Sequence, residues 1–228
     1  NNDAAIFTAV ADELKAMGHE VDTIREDEMV GFNYAPYDRV FTMARDIYSL
    51  VMLEKDTDVT TQQKFINSID GILTCTNKAS VASRMLDAGI PQPEFLVGEQ
   101  HRLMFCSTES KEDIIPPLWL KNSDSSAVVA DDVVFCRTHE EVNQALEAME
   151  KRDVHLWMAQ EHQRGDLVKF YGVEGTNFFH WHYASEGHSK FGQEEVNGKE
   201  KGYAFNASRI KLYADMLAKK LRVPVYGG

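Results

Sequence analysis

The chain has 228 residues, 43 % apolar and 26 % charged, the balance of a globular protein long enough to fold without disulfide or metal staples. With 36 acidic against 24 basic residues the net charge is −12, a surface that repels phosphate backbones and anionic membranes and so excludes both as expected main partners. Three cysteines without a C-x-x-C pair argue against a disulfide framework or a zinc cluster and for a reducing, cytoplasmic setting, and the longest apolar stretch, near Ile47 to Leu53, is far short of the ~20 residues that span a membrane.

A first helix is expected from Asp3, its cap, to Met17: Ile6, Phe7, Val10, Leu14 and Met17 form a stripe, and Gly18 stops it. A strand over 20–25 should follow, half of a β-α-β unit whose opening strand would precede Asn1; the chain is read as trimmed at both ends. Residues 26–36 read as loop. A second helix is expected over 37–53, with Val40, Ala44, Ile47 and Val51 on one face, then a charged, mobile stretch over 54–63. A short strand at 64–67 and a helical turn at 68–75 come next. Thr76 or Asn77 caps a further helix, with Val81, Met85 and Leu86 inward, and Gly89, Pro91 and Pro93 end it.

Beyond Pro93 the pattern changes to strands, over 94–97, 118–121 and 133–137. Thr138-His-Glu-Glu141 is a capping box that opens a helix with Val142, Ala145, Leu146 and Met149 inward. A strand over 156–161 and a hairpin around Glu174-Gly175 follow, then a polar loop over 185–202. The last helix, over 206–221, buries Ile210, Ala214, Leu217 and Leu221, and a strand starts at Arg222. Breaks near Pro91–Pro93 and His162–Gly165 divide the chain into 1–90, 91–160 and 161–228.

Four segments carry chemistry. They are Asn67-Ser-Ile-Asp-Gly-Ile-Leu-Thr-Cys-Thr-Asn-Lys78 with Gly89-Ile-Pro-Gln-Pro93; Pro117-Leu-Trp-Leu-Lys121; Trp157-Met-Ala-Gln-Glu-His-Gln-Arg-Gly-Asp166; and Lys169-Phe-Tyr-Gly-Val173. In this order and spacing the chain resembles the ATP-grasp superfamily, and within it carboxylate ligases of the RimK and D-alanine–D-alanine ligase kind. The resemblance implies an α/β ATP-grasp fold, with a Rossmann-like pre-ATP-grasp domain over 1–90 and two α+β subdomains over 91–160 and 161–228. It implies ATP and Mg2+ as cofactors, with small-molecule carboxylate and amine substrates. By the same resemblance Lys78 and Lys121 bind phosphates, and the backbone of Gln160, Glu161, His162 and Gln163 holds adenine. Glu161 or Asp166 receives the ribose or the adenine amine, Lys169 reaches the transferred phosphate, and Lys190, Glu194 and Glu195 meet the acceptor.

These residue types suit the task. A triphosphate carries several negative charges, and each lysine that brackets it supplies roughly 1.5–3 kcal/mol through charge-assisted hydrogen bonds. Lys78 sits at a helix start, where free N–H groups add to the positive field. Lys121 ends an apolar strand and is expected to be exposed, so that its removal leaves folding unchanged. Two departures from the family stand out. The loop Asn122-Ser-Asp-Ser-Ser-Ala127 has no glycine and places Asp124 near the phosphates, and the strands that carry magnesium ligands would come after Gly228.

Phe178, His180 and His182 share one strand face, and Phe179, Trp181 and Tyr183 share the other, which is expected to be core. The histidine face reads as a half-exposed strand, a cleft lining or a metal site without an evident third ligand. Cys75 is expected in the core rather than as a nucleophile. The function implied is an ATP-dependent carboxylate–amine or carboxylate–thiol ligase acting through an acylphosphate. The alternatives are an ATP-grasp small-molecule kinase and a non-catalytic nucleotide-binding protein.

Overall fold

In the computed structural model, residues 2–100, 102–106, 114–184 and 196–228 are described. α1 (Asn2–Ala16) gives way to Gly18 at φ +90°, as expected. Its stripe is not buried: Phe7 packs on Phe41 with ring centroids 5.3 Å apart, but Ile6, Val10 and Met17 are exposed. The strand expected over 20–25 does not form. Those residues meet no partner strand among the described residues, and a strand exists only as part of a ladder.

The helix expected over 37–53 is split. β1 (Val40–Phe41) is drawn into a parallel pair, and Asp46 accepts the Ser49 N–H to start α2 (Ile47–Asp56). The stretch expected to be mobile is helical, completing α2 and then forming α3 (Val59–Gln62), which Asp58 caps. β2 (Phe65–Ile66) pairs Val40 with Phe65. The expected loop 26–36 supplies core: Met29 and Tyr34 are buried with Leu50, Leu53, Phe65 and Ile69, and the Tyr34 hydroxyl donates to the Met29 carbonyl.

Ser68 caps α4 (Ile69–Thr76) and Asn77 caps α5 (Lys78–Asp87), close to expectation. Cys75 on α4 is exposed rather than core, and partial desolvation still pushes its thiol pKa up, away from a reactive thiolate. Asn67 sits just before, at φ +55°. Its Nδ2 donates to the Val225 carbonyl at 2.8 Å and its Oδ1 accepts the Val225 N–H at 3.0 Å, a ladder rung made by a side chain. Gly71 lies beside this junction, where an added Cβ would come 2.1 Å from the Leu221 carbonyl oxygen. Asn67→Ala should leave a donor and an acceptor of Val225 unpaired and put alanine at positive φ. We expect a loss of about 2–4 kcal/mol, read by urea unfolding; a change within about 0.5 kcal/mol would show that the rung is dispensable.

The central sheet is antiparallel throughout. β3 (Phe95–Glu99), β4 (Arg102–Cys106), β5 (Leu118–Asn122), β6 (Val133–Cys136) and β7 (Leu156–Glu161) lie in the order β4-β3-β7-β5-β6. β4 was not expected; the other four fall where the β-branched and aromatic runs put them. Between β6 and β7, Thr138 caps α6 (His139–Glu150) by accepting the Glu141 N–H, while the Glu141 carboxylate takes the Arg137 N–H, one residue before the usual capping-box partner. α6 covers one face, on Leu96, Leu118, Leu120 and Ala159. α5 covers the other face at Phe95, Val97 and Met158. On that second face a strip carrying Trp119, Lys121 and Gln160 stays half-buried.

The third sheet has the order β10-β8-β9, from β8 (Val168–Val173), β9 (Phe179–Tyr183) and β10 (Val225–Gly227), all antiparallel. α7 (Ala207–Leu221), capped by Asn206, packs through Leu217, Ala218 and Leu221 on Val223 and Tyr226. The aromatic face expected to be core is only partly covered: Phe170 packs on Phe179 and Tyr226, but Trp181 remains 37 % exposed. Among the described residues no helix is long and apolar enough to cross a membrane.

Candidate nucleotide site

β5 and β7 are neighbours with Trp119 opposite Gln160 and Lys121 opposite Met158. Alternation therefore puts Trp119, Lys121, Gln160 and His162 on one face. Lys121 Nζ donates to Gln160 Oε1 at 2.5 Å. Its ammonium is largely desolvated and feels the positive charge of Lys78, and together these push its pKa down to about 8. The two lysines, distant in sequence, are thus brought together. The expectation that Lys121 is exposed is corrected: a strand-end lysine here is walled in by the start of α5.

Lys78 holds the neighbouring loop. Its Nζ donates to the carbonyls of Asn122 (2.7 Å) and Ser125 (3.1 Å). The helix-start amides expected to be free are engaged: Ala79 N–H donates to the buried Ser123 hydroxyl and Ser80 N–H to Asn77. The glycine-free loop is fixed by hydrogen bonds instead. Asp132, 3 % exposed, accepts from Val128 N–H, Val129 N–H, Asn122 Nδ2 and Arg152 Nη1. These donors hold its carboxyl far below the usual carboxylate range against the cost of desolvation. Asp124, expected near the phosphates, turns away and accepts the His155 and Leu156 N–H groups at the start of β7.

At the other end of the strip lies an aromatic cluster that sequence reasoning missed. Trp119 and Phe135 rings are 4.9 Å apart, as are Phe135 and His162, and the Arg137 guanidinium stands 5.2 Å over Phe135. Trp119 Nε1 donates to His162 Nδ1 at 3.1 Å. Desolvation and the nearby Arg164 charge lower the His162 pKa, and an Nδ1 that accepts from Trp119 leaves the ring proton on Nε2. The alternation of Trp119 and Lys121 on a short strand was the available signal.

Of the four hinge residues, Glu161 N–H is taken by the Glu94 carbonyl and His162 N–H by the Pro117 carbonyl, which removes two of the expected adenine donors. Glu161 is also opposite Leu118, on the α6 face, and its carboxylate accepts the Gln163 amide at 2.7 Å. Asp166 is committed too: it accepts the Lys201 and Tyr203 N–H groups, which lowers its pKa. Neither carboxylate reaches the strip. Lys169 lies on the third sheet, opposite His182. Lys190, Glu194 and Glu195 fall outside the described residues.

No family model matches the sequence, and no curated protein matches it significantly. Solved structures do. A RimK-domain ATP-grasp protein from Sphaerobacter thermophilus has a TM-score of 0.62 at 12 % identity, over 95 % of this chain and 77 % of its own. The D-alanine–D-alanine ligase of Coxiella burnetii gives 0.56 at 13 %, over 83 % and 53 %. An L-amino acid ligase from Bacillus licheniformis gives 0.54 at 14 %, over 85 % and 46 %. The chain spans about half the length of the two ligases. At these identities the likeness is one of fold, and the fold of this chain is that of the ATP-grasp proteins.

Proposed function

We propose that this chain is an ATP-dependent carboxylate–amine, or carboxylate–thiol, ligase. One observation carries the nucleotide part of the reading: Trp119, Phe135 and His162 form an aromatic cluster of mutually tilted rings, and Lys121 with Lys78 lies two residues along the same strand face, about 7 Å away. A base and its first phosphates need such a pair of surfaces at such a separation. A desolvated ammonium beside a second positive charge is costly alone, and a bound polyanion relieves that cost.

In this reading a carboxylate oxygen attacks the γ-phosphorus, the bridging P–O bond to ADP breaks, and an acylphosphate forms. An amine or thiol then attacks the acyl carbon, phosphate leaves, and the nucleophile gives up its proton. Such transfers depend on positioning and charge neutralisation. Lys121 takes the phosphates with Lys78 behind it, and Lys169 and Lys190 are the proposed contacts for the transferred group and the acceptor. Magnesium would supply charge neutralisation at the phosphates. Among the described residues no group of three or more acidic, imidazole or thiol side chains gathers to hold it. The parallel β1–β2 pair joined through helices supports reading 1–90 as a Rossmann-like domain, and the two remaining sheets support subdomains at 91–160 and 161–228. The reading places the reaction in the cytoplasm.

Products separate a ligase from a small-molecule kinase. With candidate acids and amines, ADP and free phosphate should appear only when both are present. A stable phosphorylated alcohol would overturn the ligase in favour of the kinase.

A further inference from the structure

Gln160 lies opposite Trp119 across the β5–β7 ladder, and His162 comes two residues further along the same face. Lys121 Nζ donates to Gln160 Oε1 at 2.5 Å. An ammonium has no acceptor, so the amide must turn its oxygen towards it and its NH2 group away. His162 is fixed in the same sense. Its Nδ1 accepts the Trp119 N–H at 3.1 Å, and its Nε2 carries the proton. Both residues are half-buried, and neither Gln160 Nε2 nor His162 Nε2 has a partner among the described residues. No enclosed side-chain nitrogen or oxygen there lacks a partner, so both N–H groups open to solvent, where a ligand can meet them.

The other polar side chains of the strip are donors too: the Lys121 ammonium and the Arg137 guanidinium that stands over Phe135. The carboxylates nearest in sequence are turned elsewhere. Glu161 is on the α6 face, Asp166 accepts the Lys201 and Tyr203 N–H groups, and Asp124 accepts those of His155 and Leu156. A base resting on Trp119 or His162 therefore meets side-chain N–H groups. Purines differ in what they return. Guanine and hypoxanthine present two adjacent acceptors, O6 and N7, whereas adenine presents N7 beside an amine that is itself a donor. We propose that this site favours a 6-oxopurine nucleoside triphosphate, that of guanosine or inosine, over ATP, and that the Gln160 amide sets the preference. ATP, whose amine finds no acceptor among these side chains, remains a weaker ligand held by the same phosphate contacts. In Gln160→Glu one carboxylate oxygen would still accept from Lys121 and the other would stand outward as an acceptor, so the polarity offered to the base turns on this one group. The inference rests on the nucleotide reading of the strip and is independent of the reaction that follows.

The test is calorimetric titration of the magnesium complexes of ITP, GTP and ATP into the parent and Gln160→Glu, at one pH and one salt concentration. ITP and ATP share ribose and phosphates and differ at C6 of the base and the adjoining N1 proton, so their affinity ratio isolates that edge. In the parent, ITP and GTP should bind about five- to tenfold more tightly than ATP. In Gln160→Glu the order should reverse. Because the readout is a ratio within each protein, a general loss of affinity or stability in the variant cancels, and the parent's own order needs no variant. ATP bound as tightly as ITP, or more tightly, would overturn the proposal and leave the nucleotide site standing. A parent preference that persists unchanged in Gln160→Glu would overturn the role of Gln160. Absence of binding by all three at millimolar concentration would sink the nucleotide reading and this inference with it.

Discussion

ATP affinity should be level below about pH 8 and fall about tenfold per unit above it, because Lys121, held near pKa 8, must be charged to meet a phosphate. The bound anion raises that pKa, so binding takes up a proton in this window, and calorimetry in buffers of different ionisation heat would detect it. In Lys121→Met the step near pH 8 should vanish. The same lysine sets a stability trend. Its folded pKa lies below the unfolded value, so the fold gains stability as pH rises from about 8 towards 10.5 and carries the full penalty at neutral pH. That penalty is roughly 3 kcal/mol. Replacing the ammonium with methionine should therefore stabilise the chain, by about 1–3 kcal/mol after the lost Gln160 contact is deducted. A pH-independent affinity together with an unchanged melting temperature would contradict the placement of Lys121 beside Lys78.

The largest loss of stability is expected at Asp132. Asp132→Ala strands four donors, the buried Asn122 amide and, around it, the Val128 and Val129 N–H groups and the Arg152 guanidinium. A loss of about 3–5 kcal/mol should follow, measured by denaturant unfolding. Asn122 also presents its carbonyl to Lys78, so the phosphate end should loosen as well, and ATP affinity should fall even though Asp132 touches no nucleotide. The parent has a matching acid signature: the carboxyl is depressed on folding, so its contribution is complete above the ordinary carboxylate range and is lost as pH falls well below it. A variant within about 1 kcal/mol of the parent would show that the turn holds by other means.

Apart from β4, the order of elements from Ser68 onward was legible because its signals are local. Ser68, Asn77, Thr138 and Asn206 cap helices, and short β-rich runs sit between turn residues. The first third was not, because its outcome depends on a distant partner. Val40 fits a helical stripe with Ala44, Ile47 and Val51 until β2 offers a parallel ladder, and residues 20–25 are strand-like in composition but find no edge to join. At the site, Lys78 and Lys121 could be picked out by position, whereas their closeness could not, since it arises where α5 crosses the sheet. The carboxylates misled for a related reason. Asp124 and Asp166 are each consumed by backbone N–H groups and Glu161 by the Gln163 side-chain amide, and a donor that needs a partner is invisible in a string of residue types. The Trp119–Phe135–His162 patch was missed because its members come from β5, β6 and the residue just after β7.

The central claim is that a nucleotide lies along the Trp119–Lys121 face with its phosphates at Lys121. Titration of magnesium-ATP into the parent, Lys121→Met and Lys199→Met at one salt concentration, with melting curves alongside, tests it most directly. Lys199 is exposed in the polar segment between β9 and α7 and matches no motif, so its variant should bind like the parent. Lys121→Met should bind about 10- to 150-fold more weakly while melting no lower than the parent. Equal affinities for the parent and Lys121→Met, in a variant that folds, would contradict the account.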